Sequence, residues 1–186
     1  MAITKWLLVI SIAVTTLGCV QVVEHQPEYS NVNLAISSVW DSPSNIPKSS
    51  TYLIHPKYLK NPSYYASKQQ DIYQVFANAI DNSMTQHGLI NQQEQPDYVV
   101  TFAVALASDL SDDEISNKLG VTPGLKTHDG EKKASFMVYV ENNRTKESVW
   151  RGTVQGIIYD GLDSNERELR INHVVNGVLS QFYKRN

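Results

Sequence analysis

The pattern of apolar and polar residues along the chain predicts five strands. Alternation with a period of two, or a short run rich in β-branched and aromatic residues, is typical of a strand. Such segments occur at 32–37, 50–55, 98–106, 134–141 and 148–158. The segment 98–106 is apolar at nearly every position, which favours a place in the middle of the sheet.

Two further segments repeat their apolar residues at the spacing of a helix. The first runs from Ser67 to Gly88, and Gly88 offers the left-handed conformation at which many helices end. The second follows an N-cap pair, Asp163 and Glu166, and its apolar stripe extends to Phe182. The order β-β-α-β-β-β-α predicts an α+β fold. We expect a largely antiparallel sheet of about five strands, with two amphipathic helices packed on one face.

The last two strands are expected to pair in a single register. Phe136 and Trp150 must share the buried face, because a slip of one residue would expose both. Gly152 and Gly156 leave room beside Trp150, and we expect Phe136 to occupy it. The opposite face is expected to be partly wet; it carries Arg151, Thr153, Gln155, Met137 and Tyr139.

Composition narrows the class of protein. The chain has 186 residues, a net charge of −3 and a single cysteine. This length is typical of one domain. A weakly acidic chain is poorly suited to binding nucleic acid through phosphate contacts, so no nucleic-acid partner is expected. One cysteine cannot form an intrachain disulfide or a thiolate metal site.

The N-terminus has the features of an export signal. Lys5 precedes an almost wholly apolar run, 6–17, that is too short to span a membrane. Gly18 and Cys19 follow it, and Thr16-Leu17-Gly18-Cys19 resembles the lipobox of bacterial lipoproteins. The alternative is an ordinary cleaved secretion signal with an incidental cysteine.

The lipobox resemblance implies cleavage between Gly18 and Cys19 and acylation of Cys19, so that acyl chains anchor the protein to a membrane. Asp directly after the cysteine commonly retains such lipoproteins in the inner membrane, and Val20 stands there instead. The resemblance therefore implies the periplasmic face of the outer membrane. We expect three parts in the chain: a signal peptide (1–18), an anchor, tether and possible first strand (19–48), and an α+β domain (49–186).

A second resemblance covers about residues 50–182. It rests on the early Ser50-Thr51-Tyr52 strand, the helix that ends near Gly88, the run Pro96 to Val100, and Ser148-Val149-Trp150-Arg151-Gly152 before a C-terminal helix. These segments, in this order and behind a lipobox, resemble a family of Gram-negative lipoproteins known only as a domain of unknown function. The resemblance implies no catalytic residue.

The sequence contains none of the common catalytic or phosphate-binding motifs. Its five histidines lack metal-ligand spacing, so no metal or cofactor is expected. The 108–133 connection is predicted to be irregular, and long connections of this kind are usually functional or mobile. Its acidic residues, Asp109, Asp112, Asp113 and Glu114, could bind a cation weakly or simply form a solvated acidic loop.

Arg151 is the strongest candidate for a binding residue. It lies between Trp150 and Gly152, where its planar guanidinium could hold a carboxylate or phosphate. The alternative is an internal partner such as Glu141 or Asp97.

Several tyrosines crowd one region and suit contacts with a glycan or a protein; they are Tyr52, Tyr58, Tyr64 and Tyr65. Packing of the 56–66 segment on the sheet would explain them equally well. The sequence therefore favours a non-catalytic binding or scaffold module for an envelope partner protein. The alternative is a small-ligand or cell-wall glycan binder using Tyr52–Tyr65 and Arg151, and a hydrolase is the least favoured class.

Overall fold

The computed structural model describes residues 34–43, 45–58, 66–121 and 124–185. Over these residues the chain forms six strands in one sheet and three helices. The strands are β1 (Ala35–Trp40), β2 (Thr51–Pro56), β3 (Ile90–Asn91), β4 (Tyr98–Leu106), β5 (Lys133–Asn142) and β6 (Ser148–Ile157). The helices are α1 (Ala66–Gln86), α2 (Asp112–Leu119) and α3 (Ser164–Tyr183). No helix within the described ranges is long and apolar enough to cross a membrane.

The sheet is mixed. Its strand order is β1-β6-β5-β4-β2-β3. The pairs β1–β6, β5–β6 and β4–β5 are antiparallel, whereas β2 pairs in parallel with both β3 and β4. The predicted α+β class is confirmed, and β4 lies inside the sheet as its apolar run indicates. The expectation of a largely antiparallel sheet with five strands and two helices is only roughly correct, since the described residues add β3, α2 and two parallel pairs.

The main core lies between one face of the sheet and helices α1 and α3. Phe136 and Trp150 share that face, which confirms the predicted register, with Phe136 opposite Val154 and Trp150 opposite Val140. The space at Gly152 is not filled by Phe136. It holds the indole of Trp150 itself: a Cβ at Gly152 would lie 2.7 Å from Trp150 Cζ2.

The opposite face is more buried than the sequence predicts. Helix α2 lies against it, and Ile115 packs with Leu110, Ala105 and Met137 in a second, smaller core. Met137, Thr153 and Gln155 are buried, while Arg151 and Tyr139 are partly exposed. The expectation of an irregular 108–133 connection is therefore wrong for the part that forms α2.

Candidate functional site

Tyr52 is buried and joins β2 to α1. Its side chain is 0% exposed. Its hydroxyl donates a hydrogen bond of 2.7 Å to Oδ1 of Asp81 on α1. Burial and this carboxylate raise the pKa of Tyr52 well above its ordinary value. Tyr52 thus holds a helix to the sheet and offers no surface to a ligand. Tyr64 and Tyr65 lie outside the described residues.

Trp150 is also buried, on the face covered by α1 and α3. Its side chain is 0% exposed. The indole packs edge-on against Phe182 of α3, with ring centroids 5.2 Å apart. Large aromatic contacts of this kind are a main source of core stability. Trp150 therefore belongs to the contact between the sheet and α3, and it is not part of a binding surface.

Arg151 lies on the other face, where it binds Asp41 at the end of β1. Its Nε donates to Oδ2 of Asp41 at 2.7 Å and its Nη2 donates to Oδ1 at 2.5 Å. Ser148 Oγ donates to the same carboxylate at 2.6 Å. Burial opposes ionisation of Asp41, but the bonds from Arg151 and Ser148 outweigh it, and the pKa of Asp41 lies below its ordinary value. The internal partner of Arg151 is therefore Asp41, and not Glu141 or Asp97.

A third nitrogen of Arg151 reaches α2. Its Nη1 donates to the carbonyl oxygen of Leu119, the last residue of that helix. Arg151 therefore ties β6 to both β1 and α2, as a planar fork of donors can. Because Tyr52 and Trp150 are buried on one face and Arg151 is engaged on the other, the three side chains do not converge on a common surface.

A polar cluster holds the start of α2 to the sheet. Gln155 Nε2 donates to Oδ1 of Asp112 at 2.6 Å and to Ser135 Oγ at 3.1 Å. Lys133 Nζ donates to Oδ2 of Asp112 at 2.7 Å. Burial again opposes ionisation, but the bonds from Lys133 and Gln155 keep the pKa of Asp112 below its ordinary value. The cluster fixes the place at which α2 begins.

Three acidic residues of the 108–133 connection lie in the first turn of α2; they are Asp112, Asp113 and Glu114. Ser111 is the N-cap; its Oγ accepts from the backbone N–H of Glu114 at 3.3 Å. Glu114 Oε2 accepts in return from the backbone N–H of Ser111 at 2.9 Å. This reciprocal pair is a capping box. In the described parts of the chain, no cluster of three or more His, Cys, Asp or Glu side chains is placed to hold a metal ion.

A cavity of about 260 Å³ lies between α1 and α3, at the end of the sheet where β4 stops. Its volume is close to the lower end of the range for ligand pockets, about 300–1,000 Å³. Most of the lining is apolar and comes from α1, the sheet and α3; it includes Ile72, Phe76, Val104, Leu106, Ile171 and Val174. The segment 158–162 forms the rest of the wall. The geometry is that of a small apolar pocket with a few polar groups at its edge.

Four charged residues line this cavity: Asp109, Asp160, Arg167 and Arg170. The surroundings of Arg170 are the most closely defined. Its Nη2 donates to the carbonyl oxygen of Ile157, and its guanidinium carbon lies 4.6 Å from the centroid of the Tyr159 ring. Nη1 is buried and has no hydrogen-bond partner among the described residues. Burial lowers the pKa of Arg170, although an arginine keeps its charge at neutral pH. The guanidinium of Arg170 is therefore held in place beside the cavity by the Ile157 carbonyl and the Tyr159 ring.

This cavity was not predictable from the sequence. Its walls come from segments far apart in the chain, so no local pattern marks it. One signal was present: Arg170 interrupts the inward edge of the α3 stripe, directly before Ile171 and four residues before Val174. A cation beside a buried helical stripe often marks either an internal ion pair or a ligand contact.

The fold and the cavity together define a class of protein. It is an α+β domain with helices on both faces of a mixed sheet and a small apolar pocket between α1 and α3. The chain belongs to the family described as "Domain of unknown function (DUF4136)", whose model matches residues 37–182. This confirms the resemblance to a domain-of-unknown-function family. No curated protein matches the sequence.

Several solved structures are similar in fold. A PelC dodecamer from Paraburkholderia phytofirmans is 11% identical, with a TM-score of 0.47, covering 81% of this chain and 97% of that one. A DUF4136 family protein from Bacteroides thetaiotaomicron is 12% identical, with a TM-score of 0.48, covering 80% and 95%. A DUF330 protein from Xanthomonas campestris is 8% identical, with a TM-score of 0.41, covering 77% and 86%. At these identities and scores the likeness carries no information on function.

Proposed function

We propose that this protein is a lipid-anchored envelope lipoprotein on the periplasmic face of the outer membrane. In this proposal its folded domain is a non-catalytic binding or scaffold module for an envelope partner protein. The observation that carries the proposal is Thr16-Leu17-Gly18-Cys19 directly after the apolar run 6–17. Acyl chains on Cys19 would supply the anchor, since more than one buried chain is needed for stable attachment.

Chain geometry supports a short tether. The segment from Cys19 to Ala35, where β1 begins, can span at most about 55 Å. The domain would therefore stay near the membrane surface whatever path that segment takes. The tether would join the sheet at β1, which is an edge strand. The ion pair between Arg151 and Asp41 holds the end of β1 to β6.

The exposed face of α2 supports the binding part of the proposal. Asp113, Asn117 and Lys118 are exposed on α2, while Ile115 and Asp112 fix the helix to the sheet. A rigidly held, polar and charged helix face is suited to recognising a partner, since little ordering entropy is lost on binding.

Metabolic labelling tests the proposal. Cells given an alkyne analogue of palmitate should label the wild-type chain, and the labelled chain should fractionate with the outer membrane. Cys19→Ser should lose the label, whereas Val20→Asp should keep the label and shift the chain to the inner membrane. An unlabelled wild type would contradict the anchor. Chemical crosslinking of the same envelopes should give one discrete adduct, and its absence would contradict the scaffold role.

A further inference from the structure

The two edges of the sheet differ in length. β3 ends the sheet on one side and contains only two residues. β1 ends it on the other side with six residues that pair with β6 in a continuous register. Among the described residues, no strand pairs with the outer side of β1. A very short edge strand limits pairing with other chains, whereas a long free edge presents a row of backbone groups to which another strand can bond.

Alternate residues of β1 direct their backbone groups away from β6. Asp41 follows β1, and its N–H donates at 2.9 Å to the carbonyl of Val149, the next position of the same register. In an antiparallel pair, residues that exchange such bonds alternate with residues whose backbone groups point outward. The odd-numbered residues of β1 therefore bond to β6. Ile36, Ser38 and Trp40 present their N–H and C=O groups at the free edge.

β1 lacks the features that protect many natural edge strands. Those features include charged side chains, proline and bulges. The strand, AISSVW, contains no charge and no proline, and its pairing with β6 has no register shift. Val39 is 37% exposed. Asp41 lies just beyond the strand, but its carboxylate is bound by Arg151. The edge is therefore open to pairing with another strand.

The chemistry of this edge favours a second copy of the same strand. Two uncharged strands bring no like charges together, and a two-fold axis closes the pair so that no further copy is added. With the axis at Ser37, Ile36 exchanges both of its outward hydrogen bonds with Ser38 of the second copy. Val39, exposed in the single chain, then lies opposite Ala35 of the second copy.

We propose that two copies of this chain form a dimer by antiparallel pairing of their β1 strands about a two-fold axis at Ser37. The two six-stranded sheets then join into one. The bonds of the interface come from outward backbone groups of β1, so no hydrogen bond between β1 and β6 has to break. The proposal does not depend on the anchor at Cys19.

Disulfide crosslinking of the full chain in detergent tests the pairing and its register. Residues opposite each other in a non-hydrogen-bonded antiparallel pair have Cα atoms about 4.5 Å apart, which is within reach of a disulfide. Ser37→Cys should therefore form a covalent dimer under mild oxidation, and mass spectrometry should find the peptide that links the two introduced thiols. The wild type, whose only thiol is that of Cys19, gives the background.

Val39→Cys is the matched control for the register. It lies on the same face of the same strand, but the two introduced thiols of a dimer would be about 14 Å apart, too far for a disulfide. It should not crosslink alone. Combined with Ala35→Cys it should crosslink, because each thiol then has a partner directly opposite.

Sedimentation equilibrium measures the contact without a crosslink. The wild type should be a dimer. Ser38→Pro removes an outward N–H at a place where an edge strand tolerates proline, and it should raise the dimer Kd at least about tenfold. Ser38→Ala is the matched control, since it keeps the N–H and should change the Kd less than about threefold. Circular dichroism verifies that each variant is folded.

Several outcomes would overturn the proposal. These are a wild type that stays monomeric up to about 1 mM, equal crosslinking of Ser37→Cys and Val39→Cys, and equal Kd values for Ser38→Pro and Ser38→Ala. Hydrogen exchange covers the remaining occupant. If the amides of Ile36 and Ser38 are protected in a monomer, another segment of the same chain covers the edge, and the second copy is excluded.

Discussion

At the scale of single residues, Gly152 is the most closely packed of the described glycines. The indole of Trp150 lies across the backbone of β6 at this position, and Val178 of α3 closes over it. A Cβ at Gly152 would lie 2.7 Å from Trp150 Cζ2 and 2.8 Å from Val178 Cγ2. Such distances require a ring and a helix to move, because neither neighbour is the free end of a flexible chain.

Gly152→Ala is therefore expected to be strongly destabilising. Overpacking a core typically costs about 1–3 kcal/mol, and here the displaced indole of Trp150 also packs against Phe182. The free energy of unfolding, measured by urea titration, should fall by that amount.

Gly177→Ala is the matched control for this change. A Cβ at Gly177 on α3 would lie 3.3 Å from the terminal methyl groups of Ile36 and Leu34, which can shift. Alanine also gains helix propensity, so the net change should be less than about 1 kcal/mol. Equal losses for the two variants would show that the space above Gly152 is not what requires glycine.

Residue roles were predictable where they depend on local periodicity. The period of two placed Phe136 and Trp150 on one face, and the pair Asp163 and Glu166 does form the capping box of α3. The partner of Arg151 was not predictable in this way. Asp41 is 110 residues away, and the two meet only because β1 pairs with β6.

At the scale of elements, α2 is a helix that the spacing of apolar residues does not predict. A helix of eight residues buries only Ile115, so its stripe is too short to detect. Its ends were the better signal: Ser111 and Glu114 form a capping box, and Gly120 takes the left-handed conformation at the other end.

The parallel pairing of β2 and β4 could also have been predicted. The long helix α1 and the short β3 connect them, and a crossover through a helix joins parallel strands. The cavity next to α1 was not predictable by the same reasoning, because it forms where α1, the sheet and α3 meet.

The attachment of α2 leads to a prediction at this scale. Asp112→Ala should loosen the helix from the sheet, because Gln155 Nε2 and Lys133 Nζ both lose their carboxylate partner. Hydrogen exchange of the α2 amides should become at least about tenfold faster, which corresponds to about 1.4 kcal/mol, while α1 and α3 keep their protection.

Asp113→Ala provides a control for that experiment. Asp113 is exposed and also lies in the first turn of α2, so both variants remove one acidic group from the helix N-terminus. Only Asp112 is bound to the sheet. If the two variants speed exchange equally, loss of the N-terminal charge explains the effect and the polar cluster does not.

At the scale of the whole molecule, carboxylates connect parts of the chain that are far apart in sequence. Asp41 binds Arg151, Asp112 binds Gln155 and Lys133, and Asp97 accepts from the backbone N–H and hydroxyl of Thr51 at 2.8 Å. The bonds from Thr51 lower the pKa of Asp97 as well. Three connections between distant segments thus depend on ionised aspartates.

This dependence predicts loss of stability in acid. A carboxyl whose folded pKa is lowered binds fewer protons in the folded state than in the unfolded state over the acid range. Its contribution is present above the unfolded pKa and is lost as the pH falls through the folded one. The free energy of unfolding should therefore fall from about pH 5 downward, by at most about 1.4 kcal/mol per pH unit for each such group.

Urea titrations at a series of pH values would measure this loss. The double variant Asp41→Asn, Asp112→Asn should be less stable than the wild type at pH 7, since Arg151 and Lys133 lose a charged partner. It should also lose less stability between pH 5 and pH 3, because two of the titrating groups are gone. Asp113→Asn, at an exposed position, should keep the wild-type slope. A double variant with an unchanged slope would place the acid sensitivity in other carboxylates and leave these two connections without an electrostatic role.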